Sequence, residues 1–156
     1  MHKYTSVPGA YTDSYCADLP IQISFPEYLF AFYTTPLFKL ERLILLLVRK
    51  PSTDAQAGEL ANGVRDTFAA WTVEARAENQ ILMCDFAGST RSWLMVVPME
   101  KSTRLYFGSV VVPQRVSKDG KSSLGFIFST LLGFHKIYSV LLLASARSRL
   151  MRRADK

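Results

Sequence analysis

The chain has 156 residues, enough for one domain with a hydrophobic core and too few for two of ordinary size. With 49% apolar and 21% charged residues, 8 Gly and 7 Pro, it is neither disordered, collagen-like nor low in complexity. The net charge of +6 is lopsided: residues 1–100 hold 8 basic against 11 acidic side chains, residues 101–156 hold 11 against 2, so the basic character belongs to the C-terminal third.

Residues 1–156 read as a single domain, with 1–9 and 152–156 expected to fray. After the Pro8-Gly9 turn signal, the alternation from Tyr11 to Ala17 suggests a first or edge strand. Ser24 and Glu27 have capping-box spacing, and Pro26 falls in the first turn, where its missing N–H is not needed. A helix therefore starts here and runs through Tyr28, Leu29, Phe32 and Tyr33 until Pro36 breaks it. A second helix follows from about Leu37 to Val48. Its segment LFKLERLILLLV holds Lys39, Glu41 and Arg42 and is far shorter than the ~20 residues that span a bilayer, so burial against the core is predicted. Asp54 to Asn62 reads as a short polar surface helix.

From Thr67 the period changes. Phe68 to Ala77, Ile81 to Phe86, Arg91 to Val97 and Arg104 to Val112 are rich in aromatic and β-branched residues and separated by short turns, which makes an antiparallel meander and excludes parallel crossovers. Alternation puts Arg91, Trp93, Met95 and Val97 on one face and Ser92, Leu94 and Val96 on the other, so both faces are largely apolar. A basic Ser/Gly loop, Val116 to Ser123, leads into a helix from Leu124 to about Met151, apolar over most of its circumference and expected to be almost entirely covered. Leu124 to Ala146 has the length of a membrane span, but His135 and Lys136 fall at its centre, where a Lys costs about 2.5–3.5 kcal/mol. A buried helix is the better reading.

This order of strand, interrupted helix pair, meander and long final helix resembles the START-like helix-grip superfamily, also called polyketide-cyclase-like, Bet v 1-like or SRPBCC. Thr90-Arg91-Ser92-Trp93-Leu94, Arg104-Leu105-Tyr106-Phe107-Gly108-Ser109 and Gly133-Phe134-His135-Lys136-Ile137-Tyr138 are similar to the spaced signatures of an uncharacterised bacterial subfamily. The resemblance implies an α+β fold: a curved antiparallel sheet packed on a long C-terminal helix, with an apolar ligand held between them. It departs from the pattern in strand number, since four good strands and a weak first one are countable where six or seven are usual.

The candidate chemistry is sparse. Cys16 and Cys84 lie far apart without metal-ligand spacing and read as reduced thiols. No signal-peptide pattern begins the chain, so the cytoplasm is the expected compartment. No nucleotide, metal or cofactor motif occurs, and the apolar sheet does not suit nucleic acid. Asp85 and Arg91 flank a turn and are predicted to face one another near Trp93, as a ligand clamp, a general base and its partner, or a plain hairpin ion pair. His135 is the one histidine inside the folded part, able to act as an acid or base near neutral pH or to sit hydrogen-bonded in the core. With Tyr106 and Tyr138, these residues form the candidate ligand site: Asp85, Arg91, Trp93, Tyr106, His135 and Tyr138. The leading reading is binding or transfer of a small hydrophobic molecule, lipid or polyketide-like. Alternatives are a cyclase, dehydratase or hydrolase using His135 or Asp85, and an interaction module in which Arg147, Arg149, Arg152 and Arg153 meet an anionic membrane or the sheet edge pairs in a homodimer.

Overall fold

Ser24 and Glu27 form the capping box that their spacing implies: the Ser24 hydroxyl accepts from the Glu27 N–H, and the Glu27 carboxylate accepts from the Ser24 N–H at 2.7 Å. The computed structural model describes the backbone of residues 2–47, 49–112 and 125–154, and not the side chains of residues 2, 47, 125–135 and 154. The predicted loop Val116 to Ser123 thus lies outside the described residues, as does the His135 side chain. Strand β1 (Tyr11–Leu19) is followed by helices α1 (Phe25–Tyr33), α2 (Pro36–Leu47) and α3 (Asp54–Ala61). Strands β2 (Thr67–Phe68), β3 (Trp71–Ala77), β4 (Gln80–Asp85), β5 (Thr90–Pro98) and β6 (Thr103–Val111) come next, then α4 (Gly125–Ala154). Pro36 opens α2 rather than merely ending α1, and the buried Thr35 hydroxyl accepts from the Phe38 N–H at that joint.

The sheet is antiparallel throughout, curved, and ordered β1-β6-β5-β4-β3-β2. It has six strands where the sequence shows five, because the run from Phe68 to Ala77 folds back on itself. Ala69 adopts φ 52°, which reverses the chain so that Phe68 pairs with Trp71. Turns of this kind usually announce themselves with Gly or Asn, and an alanine in the left-handed region leaves no such mark.

Register decides which face is the core. Leu105 and Phe107 of β6 stand beside Val96 and Leu94 of β5, and these beside Ile81 of β4, all on one face and all buried. Helix α1 lies on this face. Its Phe32 ring meets Phe107 at 4.9 Å between centroids, and the Tyr28 hydroxyl donates to the Tyr106 carbonyl at 3.1 Å. Helix α3, expected as a polar surface helix, instead buries Ala57, Leu60 and Ala61 and packs on α1. Leu142, Leu143, Ala146 and Leu150 of α4 complete the core.

His2–Tyr4 form a 3-10 turn on the opposite face of the sheet, and the last helix runs through Arg152 and Arg153 to Ala154. Two further expectations are corrected. The apolar run of α2 is not wholly buried, since Leu40, Leu43, Ile44 and Leu46 are 52–59% exposed. Helix α4 is not covered all round, since Ile137, Val140 and Leu141 are 63%, 46% and 51% exposed. Each of the two helices buries one side only. Among the described residues no helix is long and apolar enough to cross a membrane.

This burial pattern separates two leucines that the sequence treats alike. Leu94→Ala, at the centre of the core face, should destabilise by about 2–5 kcal/mol, while Leu43→Ala on α2 should stay within about 0.5 kcal/mol of wild type. Urea unfolding midpoints at equal slope check both, and equal losses would mean that α2 is buried as the sequence suggests.

Candidate functional site

Helix α1 with α3 covers one part of the core face. Beside them a pocket of about 290 Å³ remains between the sheet, α2 and α4, at the lower end of the roughly 300–1,000 Å³ typical of small-molecule sites. Its walls are mainly aromatic and aliphatic: Phe32, Tyr33 and Phe38, Leu45 of α2, Trp71 and Phe107 from the sheet, and Leu142 of α4. Phe86, in the turn between β4 and β5, lines it while remaining 68% exposed, and Lys50 lies 5.6 Å from its ring centroid.

A carboxyl group stands in this apolar wall. Glu41 belongs to the same helical face as Phe38 and Leu45, three residues before and four after, so α2 delivers it into the pocket with them. The Tyr138 hydroxyl, reaching across from α4, donates to Glu41 Oε2 at 2.5 Å, and Trp71 of β3 lines the same wall. Burial pushes the Glu41 carboxyl above its usual range, with the polar groups of Tyr138 and Trp71 pulling the other way. Burial also raises the Tyr138 phenol, and the neighbouring Glu41 charge raises it further. Beside them the Tyr33 hydroxyl is buried without a hydrogen-bond partner, and the same two causes push it upward. The arrangement offers an apolar ligand a polar corner at Glu41 and Tyr138, with Asp85, Thr90, Ser92 and Ser139 elsewhere in the lining. A carboxyl inclined to keep its proton can donate to as well as accept from a bound polar group.

The predicted site residues divide between the two faces of the sheet. Asp85 and Tyr138 line the pocket. Arg91, Trp93 and Tyr106 do not: Ser92 and Leu94 point to the core, so their neighbours on β5 point away, and Tyr106, paired with Met95, shares that outer face. Trp93 donates to Gln80 Oε1 at 3.0 Å and its ring lies 6.0 Å from that of Tyr106. The predicted Asp85–Arg91 pair is not formed, because the two side chains leave the sheet on opposite sides. Asp85 Oδ1 accepts from the Ser89 and Thr90 N–H groups and its Oδ2 from the Ser89 hydroxyl, which closes the turn. Arg91 instead meets Glu74 at 3.1 Å and the Tyr4 hydroxyl at 2.9 Å. Burial alone would raise the Glu74 carboxyl, but hydrogen bonds from Lys3, Tyr4 and Arg91 outweigh it and hold the group at about 2.

Sequence reasoning missed Glu41, taking it as one of three charges that argue against a membrane span. The available signal was its helical phase with Phe38 and Leu45. That signal competes with a cleaner apolar stripe on the same helix, Leu40, Leu43, Ile44 and Leu47, which invites the opposite choice of inner face.

Sheet, gripping helix and pocket define an α+β protein of helix-grip architecture. No family model and no curated protein matches the chain. Among solved structures it is similar to Ara h 8.0201, a Bet v 1 family protein, with TM-score 0.34 and 9% identity over 87% of this chain and 99% of that one. It is also similar to the quaternary ammonium Rieske monooxygenase CntA in complex with its substrate L-carnitine, with TM-score 0.33 and 9% identity over 90% of this chain and 39% of that one. At these scores the reading of the site rests on its own geometry.

The two carboxyls make opposite pH predictions. The folded-state pKa of Glu41 is raised above its unfolded value near 4.5, so the folded state holds the proton longer and stability declines as pH rises through the folded pKa. The stability of wild type relative to Glu41→Gln should therefore be greatest at acid pH and fall on the way to neutral; a flat or rising difference in unfolding free energy refutes this. Glu74 has the reverse sign. Its contribution is present above the unfolded pKa near 4.5 and lost as pH falls toward about 2, so Glu74→Gln should destabilise at pH 7 and lose its effect in acid, as thermal melts across pH would record.

Proposed function

We propose that the protein binds a small hydrophobic molecule, lipid or polyketide-like in character, in the pocket between its sheet and helices α2 and α4, and that it is a START-like, Bet v 1-like domain. The observation that carries this reading is a mainly apolar pocket with a buried carboxyl in its wall, Glu41 hydrogen-bonded by Tyr138. Apolar walls retain a ligand by area and shape, and a few fixed polar groups orient it. Ligand contacts are assigned to the pocket side, including Asp85 and Tyr138 of the residues singled out in the sequence. His135 remains a candidate through its place on α4, three residues before Tyr138. Retention is favoured over acid–base chemistry at Asp85, whose carboxylate already receives three hydrogen bonds from its own turn.

Ser92 supplies the test, since it lines the pocket from β5 and is small. Wild type should bind the neutral fluorescent probe N-phenyl-1-naphthylamine with enhanced emission. Ser92→Phe should abolish that binding by filling the space, whereas Trp93→Ala, one residue along but on the other face, should leave it unchanged. Loss in Trp93→Ala with retention in Ser92→Phe would place the ligand on the wrong side of the sheet for this proposal.

A further inference from the structure

Helices α2 and α4 each turn an apolar stripe to solvent. On α2 it is Leu40, Leu43 and Ile44, joined by Leu46; on α4 it is Ile137, Val140 and Leu141, each large residue 46–63% exposed. Both sets recur at three- and four-residue spacing, so each is one face of its helix. In each helix the stripe lies opposite the residues that enter the pocket, which are Glu41 and Leu45 on α2 and Tyr138 and Leu142 on α4. The two helices are neighbours, joined by the Tyr138–Glu41 hydrogen bond. Each helix turns its outer stripe away from the pocket that the two share. An exposed apolar surface of this kind marks an interaction site.

The charges around it select the occupant. The exposed Lys136 and Arg147 flank the α4 stripe, and α4 contains no Asp or Glu at all. The single acidic residue of α2, Glu41, is turned into the pocket, and Arg49 stands exposed just beyond the helix. A second copy docked through the same face would bring these cations against their own counterparts, while the nearby carboxylates Asp54 and Asp18 are already paired, with Lys39 and Arg42 and with Arg104. Anionic lipid headgroups supply the missing negative charge, and acyl chains accept the apolar stripes. The arginines singled out in the sequence do not act as one patch, since the helix spreads them: Arg147 donates to the Asp18 carbonyl and Arg153 lies 5.3 Å from the Phe30 ring centroid.

We propose that the outer faces of α2 and α4 form a docking surface for an anionic lipid bilayer, with Leu40, Leu43, Ile44, Ile137, Val140 and Leu141 entering the interface and Lys136 and Arg147 meeting the headgroups. The full chain should co-sediment with phosphatidylcholine vesicles that contain phosphatidylserine, bind phosphatidylcholine alone far less, and be released by salt. Leu43→Glu with Ile44→Glu, and separately Ile137→Glu with Leu141→Glu, should weaken binding by about tenfold or more at unchanged melting temperature. Should either pair unfold the protein, the milder Leu43→Ser with Leu141→Ser carries the same expectation. Ser92→Phe, blocked in the pocket, should still bind vesicles, so failure of the pocket reading and failure of this one are told apart. Absence of salt-sensitive vesicle binding, or binding unaffected by these substitutions, overturns the proposal. So does a dimer in light scattering that the same substitutions dissociate without any vesicle binding.

Discussion

The seating of α1 on the sheet is the constraint from which the rest follows. An antiparallel sheet with an apolar face must cover it, and here the cover is set by Phe32 against Phe107 and by the Tyr28 hydroxyl on the Tyr106 carbonyl. Ring contacts continue outward from this point: Phe32 also meets Tyr33 and Phe38, and Tyr33 and Phe38 meet Phe68 on the short strand β2. What these contacts do not reach is the ground between α2, α4 and the strands carrying Trp71, Ser92 and Phe107, and the pocket is this remainder.

A carboxyl inside such a remainder needs a reason, because burial opposes its charge and, among the described residues, no cation offsets that opposition. The Tyr138 hydroxyl on α4 holds Glu41, so the group also ties α2 to the final helix. A polar corner in an apolar pocket sacrifices stability for orientation, which suits a site that must hold a ligand one way round. The unpartnered Tyr33 hydroxyl beside it has the same character.

The opposite face of the sheet is organised by charge. Glu74 gathers Lys3, Tyr4 and Arg91, and through them the N-terminal turn is strapped across β3 and β5. This explains why an arginine and a tryptophan with the look of site residues sit where they do. Arg91 fastens the chain start, and Trp93 packs beside Tyr106 and hydrogen-bonds Gln80.

Local chemistry made much of the fold legible. The capping box at Ser24, the break at Pro36, the helix after Thr53 and the strands from Ile81 onward follow from spacing, caps and turns, which act over a few residues and leave their mark in the chain. The β2–β3 turn escaped because Ala69 carries the positive φ that a glycine would have advertised. The site was half legible: Asp85 and Tyr138 are in the pocket, whereas Arg91, Trp93 and Tyr106 are across the sheet from it, and Glu41 went unrecognised. Alternation along a strand and periodicity around a helix state which residues share a face, and the sequence by itself determined those groupings correctly. Which face turns inward, when both are apolar, is decided only by what packs against it. In α2 and β5 that choice was made by tertiary packing, and it put the mixed helical face in the pocket and Leu40, Leu43 and Ile44 in solvent.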